Sequence, residues 1–185
     1  MEAHRELVRR GVFDALVALL AERSFDAVSM ADLAARAGVG RTAIYNHFPD
    51  KESVVVAFAE SETQRYLDDL GAALEGAVGP AEAMRVYVRH HLESSSEFHF
   101  GLGPGLYGLL SRESLGRIRE HVVAVEGVLR GIVDDGISDG TFQVTDVDAA
   151  LGLVHASLQA RAASENTEAA QEWILRGLGA GDRAS

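Results

Sequence analysis

Ten consecutive positions, 90–99, carry His90, His91, Glu93, Glu97 and His99, side chains of the kinds that hold a divalent metal. Their spacing does not close a site. On a helix His90 and Glu93 are neighbours while His91 faces elsewhere, and a chain without cysteine has no thiolate to complete a tight ligand set. Solvated polar residues near a loop are the expectation, with no metal and no cofactor. The run Gly103-x-Gly105-x-x-Gly108 has the letters of a dinucleotide-binding loop, yet no strand precedes it and no strand-helix-strand unit is available. Glu-x-x-His pairs, His-Glu-x-x-His and a nucleophile elbow are not read in the chain, so it is not expected to be an enzyme. A different chemistry is on offer at 41–51. A short helix there would bury Ile44 and Phe48 and turn Arg41, Thr42, Tyr45 and His47 outward.

The elements that present those side chains follow from local rules. Ser29 is a good N-cap, and Asp32 three residues later makes a capping-box variant at the positive end of a helix. Leu33, Ala34 and Ala37 give that helix an apolar side. Gly38 then supplies the positive φ that ends a helix without steric cost. After a turn at 38–40 a second helix spans 41–48, and Pro49 marks its stop. Asp50 and Lys51 open a third. Small Ala34 and Gly38, followed by Val39 and Ile44, suit two helices crossing at about 90–120° through a short turn.

The string Phe25-x-x-Val28-Ser29-x-x-x-Leu33-Ala34-x-x-Ala37-Gly38-Val39, followed by Ile44-Tyr45-x-His47-Phe48-x-x-Lys51, resembles the helix-turn-helix of the tetracycline-repressor (TetR) family of bacterial transcription regulators. The resemblance implies an all-α protein in two parts. Residues 1–50 would be a three-helix DNA-binding head, and 51–185 a helical bundle for effector binding and dimerisation. The partners would be a near-palindromic double-stranded DNA operator, a second copy of the chain and a small, largely apolar effector whose binding releases the DNA. Arg41 at the helix start can then bond guanine O6 and N7, and Thr42 can touch a base edge or thymine methyl. Tyr45, His47 and Lys51 are placed for phosphate contacts, and Asn46 for either task. Two departures stand out: apolar Met30-Ala31 begins the preceding helix, and Gly40 sits where a polar N-cap is frequent.

Bulk properties agree with a helical, unexported chain. Of 185 residues 47% are hydrophobic, only three are proline and none is cysteine, and 141–144 is the one strand-like piece. The N-terminus mixes signs rather than forming a basic-then-apolar leader, and no apolar run approaches a membrane span. A cytoplasmic location without membrane contact is the expectation. The net charge of −11 argues against nucleic acid at first sight, but its distribution weakens the objection. Residues 1–51 hold seven Lys/Arg and seven Asp/Glu, leaving ten against twenty-one for the rest. An acidic body behind a neutral head can bind DNA if the few cations sit at the contact face. The alternative reading is a helical adaptor that uses its acidic body to bind protein partners without DNA.

About nine helices are expected. A first one, near 3–23, carries the stripe Val8, Val12, Leu16 and Leu19, with Phe25 and Val28 plugging the joint after it. A long helix from 51 to about 78 joins head to body. Further helices are placed at 80–96, near 106–111, and at 112–136, 146–164 and 168–178. The last two carry Val147, Leu151, Val154 and Leu158, and Ala170, Trp173, Ile174 and Leu178; in the family resembled, such a pair makes the homodimer seam. The effector would lie among Met84, Tyr87, His91, Phe98, Tyr107, Leu110, His121 and Val125.

Overall fold

The computed structural model describes residues 2–98, 108–160 and 165–180, without the side chains of 2–4, 95–98 and 121. Among them the chain forms eight α-helices and no strand. These are α1 Glu2–Glu22, α2 Met30–Arg36, α3 Arg41–His47, α4 Lys51–Leu74, α5 Pro80–Phe98, α6 Arg112–Ser138, α7 Val147–Leu158 and α8 Thr167–Gly177. A 3-10 turn, Phe25–Ala27, follows α1. The short helix expected near 106–111 is a turn at 108–109, and its first two residues lie outside the described set. Two compact units result, one containing described residues 2–62 and 108–121, the other 63–98 and 122–180.

The first unit is built on the α1 stripe. Val12, Leu16 and Leu19 are buried with Leu33, Ala34 and Ile44, and Phe25 and Val28 close the joint. The Phe13 ring meets Phe58 edge-on at 5.5 Å and Phe48 at 6.0 Å, which ties α1 to α4 and to the residue that ends α3. Val54, Val55 and Val56 are all buried, so the start of α4 is enclosed on most of its circumference. The capping box forms as its residues require: Asp32 N–H donates to Ser29 Oγ at 3.2 Å, and Ser29 N–H donates to Asp32 Oδ2 at 3.0 Å. Gly38 has φ +67°, the left-handed conformation expected of it. In the same unit Glu52, in the first turn of α4, caps α6. Its Oε2 accepts from Ser111 N–H at 3.0 Å and from Ser114 Oγ at 2.7 Å, and Arg117 reaches Glu60 at 2.6 Å.

The second unit packs the later part of α4, all of α5 and most of α6 with α7 and α8. Its core holds Leu70, Met84, Tyr87, Val88, Leu129, Val133, Leu151, Val154, Ile174 and Leu178. Gly136 is required by a close approach: a Cβ there would stand 2.0 Å from Phe142 Cδ2, and Phe142 N–H donates back to the Gly136 carbonyl at 2.8 Å. Asp146 and Asn166 cap α7 and α8 through the amides of Ala149 and Ala169, each at 3.0 Å. Buried Gln171 donates to the Arg85 carbonyl at 2.7 Å and joins α8 to α5.

Candidate nucleic-acid interface and effector pocket

Ile44 anchors α3 with no exposed surface, and Phe48 just past its end is buried beside it. That leaves Arg41, Thr42, Tyr45 and Asn46 exposed together, at helical spacing, with His47 half-buried at the end. Tyr45 exposes 54% of its surface, large for an aromatic ring. Gly40 caps α3 with extended backbone and no side-chain bond. The cations around this face are not equal. Arg23 lies 3.6 Å from Asp32, and Arg36 pairs with Glu22. Arg41 has no ion pair or side-chain hydrogen bond among the described residues, so its guanidinium keeps its donors for an incoming acceptor.

Lys51 requires a correction. It is expected at a phosphate, but its Nζ donates to the carbonyls of Phe25 at 3.0 Å, Val28 at 3.3 Å and Asp26 at 3.4 Å. It also stands 4.4 Å from the centre of the Phe25 ring. An ammonium has three donors, and here three carbonyls at the 3-10 turn take them. Lys51 therefore locks α4 to the joint between α1 and α2 instead of facing outward.

The residues expected around an effector divide three ways. Met84, Tyr87 and Val125 lie in the core of the second unit, with half-buried His91 beside them. Leu110 belongs to the core of the first unit, which corrects its assignment to the same lining. The side chains of Phe98, Tyr107 and His121 lie outside the described residues. Sequence reasoning missed Tyr66 and His90 as members of this group. The Tyr66 hydroxyl is 3.4 Å from His91 Nδ1, and its ring is centred 4.8 Å from that of His90. The His91 ring stacks on Tyr87 at 6.1 Å. Burial pushes the Tyr66 phenol up to about 12, and burial, with Tyr66 and Glu126 nearby, pushes Tyr87 further still. Both are neutral hydroxyls at any physiological pH.

Of the other donors read as a metal set, the Glu97 side chain and His99 lie outside the described residues. No group of three metal-binding side chains forms among the described ones. Gly136-Ile137-Ser138-Asp139-Gly140 does carry the Gly-x-Ser-x-Gly letters of a nucleophile elbow, a match the sequence reading passed over. Ser138 is the exposed last residue of α6, so helix rather than strand leads into it and the elbow geometry is not there.

The expected dimer seam is also corrected. Leu151, Val154, Leu158, Ile174 and Leu178 are buried within the second unit, with Val147 and Ala170 packed against them. Spacing alone cannot say which partner a stripe covers. Of that set only Trp173 faces out, 60% exposed, and on α7 the large exposed apolar residue is Leu153, at 64%. Ala149, Gly152 and Ala156 flank Leu153, while Ala169 and Gly177 lie one turn either side of Trp173. Leu153 and Trp173 both line a shallow groove of about 250 Å³. No helix of the described residues is long and apolar enough to cross a membrane.

Comparison with known proteins gives two family signatures. "Bacterial regulatory proteins, tetR family" matches residues 12–58, and "Tetracyclin repressor-like, C-terminal domain" matches residues 105–174. The HTH-type transcriptional regulator AlkX of Mycobacterium tuberculosis is 36% identical over 78 residues, 42% of this chain and 37% of AlkX. The HTH-type transcriptional repressor LfrR of Mycolicibacterium smegmatis is 32% identical over 101 residues, 54% of this chain and 48% of LfrR. The aligned regions thus span less than half the length of either relative. Among solved structures, the transcriptional regulator FadR from Bacillus subtilis in complex with stearoyl-CoA superposes with a TM-score of 0.74 at 19% identity, covering 91% of this chain and 96% of that one.

Proposed function

Because the chain belongs to the tetracycline-repressor family of bacterial regulatory proteins, we propose that it is a sequence-specific DNA-binding transcription regulator, a repressor released from its operator by a small, largely apolar effector. The observation that carries this reading is the face of α3. Four polar side chains stand exposed on a helix whose opposite side is fastened into a core, and the first of them is an unpaired arginine. Arg41 reads guanine, Thr42 a neighbouring base edge, and Tyr45, Asn46 and His47 set register on base edges and phosphates. A seven-residue helix reaches only a few base pairs. Two copies, seated about 34 Å apart or a multiple of it, supply the rest of the specificity. The second copy covers Leu153 and Trp173, because two large apolar side chains beside small residues on adjacent helices suit close helix packing across a two-fold axis. The effector lies in the second unit, near Tyr87 and His91.

The deciding experiment is selection of bound sequences from a random DNA library. A near-palindromic winner is expected. No enrichment at low salt overturns the reading and favours a helical adaptor.

A further inference from the structure

Resting on the reading of the second unit as an effector-binding body, we infer that the effector carries an uncharged polar group, a hydroxyl or carbonyl on an apolar frame, that seats against the Tyr87 hydroxyl and His90 Nε2. Tyr87 is fully buried, yet among the described residues its hydroxyl has no hydrogen-bond partner, and neither does the buried Nε2 of His90. A buried polar atom left unpaired is costly, and natural cores hold few of them. A phenylalanine at 87 would fill the same volume without that cost, so the hydroxyl has a use that packing does not explain. The two residues are three apart on α5 and therefore lie on one side of the helix. Tyr66 from α4 stands against His90, and the stacked ring of His91 stands against Tyr87, so the unpaired atoms sit within a cluster of flat, polarisable surfaces.

The chemistry of the cluster selects the head group. A carboxylate or phosphate would have to leave water for buried atoms on a phenol and an imidazole, beside the Tyr66 and His91 rings, where no described cation pairs with it. An ammonium would likewise have to leave water for a buried cluster of rings. A neutral hydroxyl or carbonyl escapes both penalties. Tyr87 both donates and accepts, and either tautomer of His90 offers Nε2 a role, so a hydroxyl or a carbonyl can bond at each atom.

The test is calorimetric titration of the full chain with three heads on one- and two-ring frames: phenol and 4-phenylphenol, benzoate and biphenyl-4-carboxylate, benzylammonium and biphenyl-4-ylmethylammonium. The phenols are expected to bind and the charged analogues to bind at least tenfold more weakly. Tyr87→Phe and His90→Phe each keep a ring in place, and each should weaken the phenols by about five- to tenfold, the worth of one hydrogen bond. The melting temperature of unliganded Tyr87→Phe should stay level or rise, a response that a purely structural hydroxyl would not give. The inference is overturned if the phenols do not bind, if a charged head binds as well, or if Tyr87→Phe binds undiminished. It is equally overturned if Tyr87→Phe melts lower, because the hydroxyl is then satisfied by buried water. Operator affinity is measured separately with each probe. Phenol binding without DNA release keeps this subsite and removes the regulatory reading above, whereas intact DNA binding with no phenol uptake does the reverse.

Discussion

The ammonium of Lys51 stands 3.0 Å from the carbonyl oxygen of Phe25 and 4.4 Å from the centre of the same residue's ring. A cation in the first turn of α4 is disfavoured by the helix dipole, and three carbonyls together with the ring offset that cost. Lys51→Met keeps the apolar stem and removes the charge. It should lower stability to denaturant by about 1–3 kcal/mol. The salt dependence of DNA binding separates the clamp from a phosphate contact. An unchanged slope is expected, whereas a lost contact would reduce it by about one.

Arg41 behaves differently because no described residue holds its guanidinium. Arg41→Ala should leave the melting temperature in place, relax specificity at one base step and cost about 1–3 kcal/mol per half-site. Competition binding with operators varied at single positions reads this out. Equal losses on cognate and scrambled DNA would move Arg41 from base to phosphate.

The wild-type chain is expected to be a dimer without DNA. Leu153→Glu with Trp173→Glu places charges on an exposed face, so the double variant should fold and run as a monomer in light scattering. Leu151→Glu should instead lose its circular-dichroism signal, because that side chain is 1% exposed in the core of its own unit. A dimer undisturbed by the double variant would rule out this face.

Acid should release the cap that Glu52 provides. The Ser114 hydroxyl and the Ser111 hydroxyl and amide hold the Glu52 carboxyl below its ordinary value near 4.5. A carboxyl with a depressed folded value stabilises the fold above the ordinary value and loses that contribution as pH falls through the folded value. Glu52→Gln should therefore be less stable than the parent at about pH 6, by about 1 kcal/mol or less for so solvated a group. The gap should narrow below about pH 4.5 and close in stronger acid. Urea unfolding across that range measures it, and a gap indifferent to pH would mean the carboxylate charge contributes nothing.

Local chemistry made the head legible. Capping at Ser29, the positive φ of Gly38 and the inward pair Ile44 and Phe48 are decided within a few residues, and with them the outward face of α3. The sites of Lys51 and the α7–α8 stripe were not legible, because each depends on what lies across from it. A lysine after a recognition helix reads as a phosphate ligand until the carbonyls of Phe25, Asp26 and Val28 are seen around its ammonium. Leu151 and Ile174 sit at a spacing that serves a seam or a core equally well, and the core takes them. Tyr66 and His90 are 24 positions apart and come together only when α4 and α5 pack.

The bare start of α3 bears on how the DNA-reading surface breathes. Seven residues without a side-chain cap cannot hold a helix in water, so α3 persists through buried Ile44 and its own few backbone bonds. Its amides should exchange with solvent by local opening, well before those of α1 or the start of α4. Gly40 has φ −67° and ψ 149°, which any L-residue adopts, and a Cβ there would meet nothing within 4 Å. A serine at 40 would accept from the open amides of the first turn, slow that exchange by the equivalent of a few tenths of a kcal/mol, and leave less of the helix's order to be supplied by the operator.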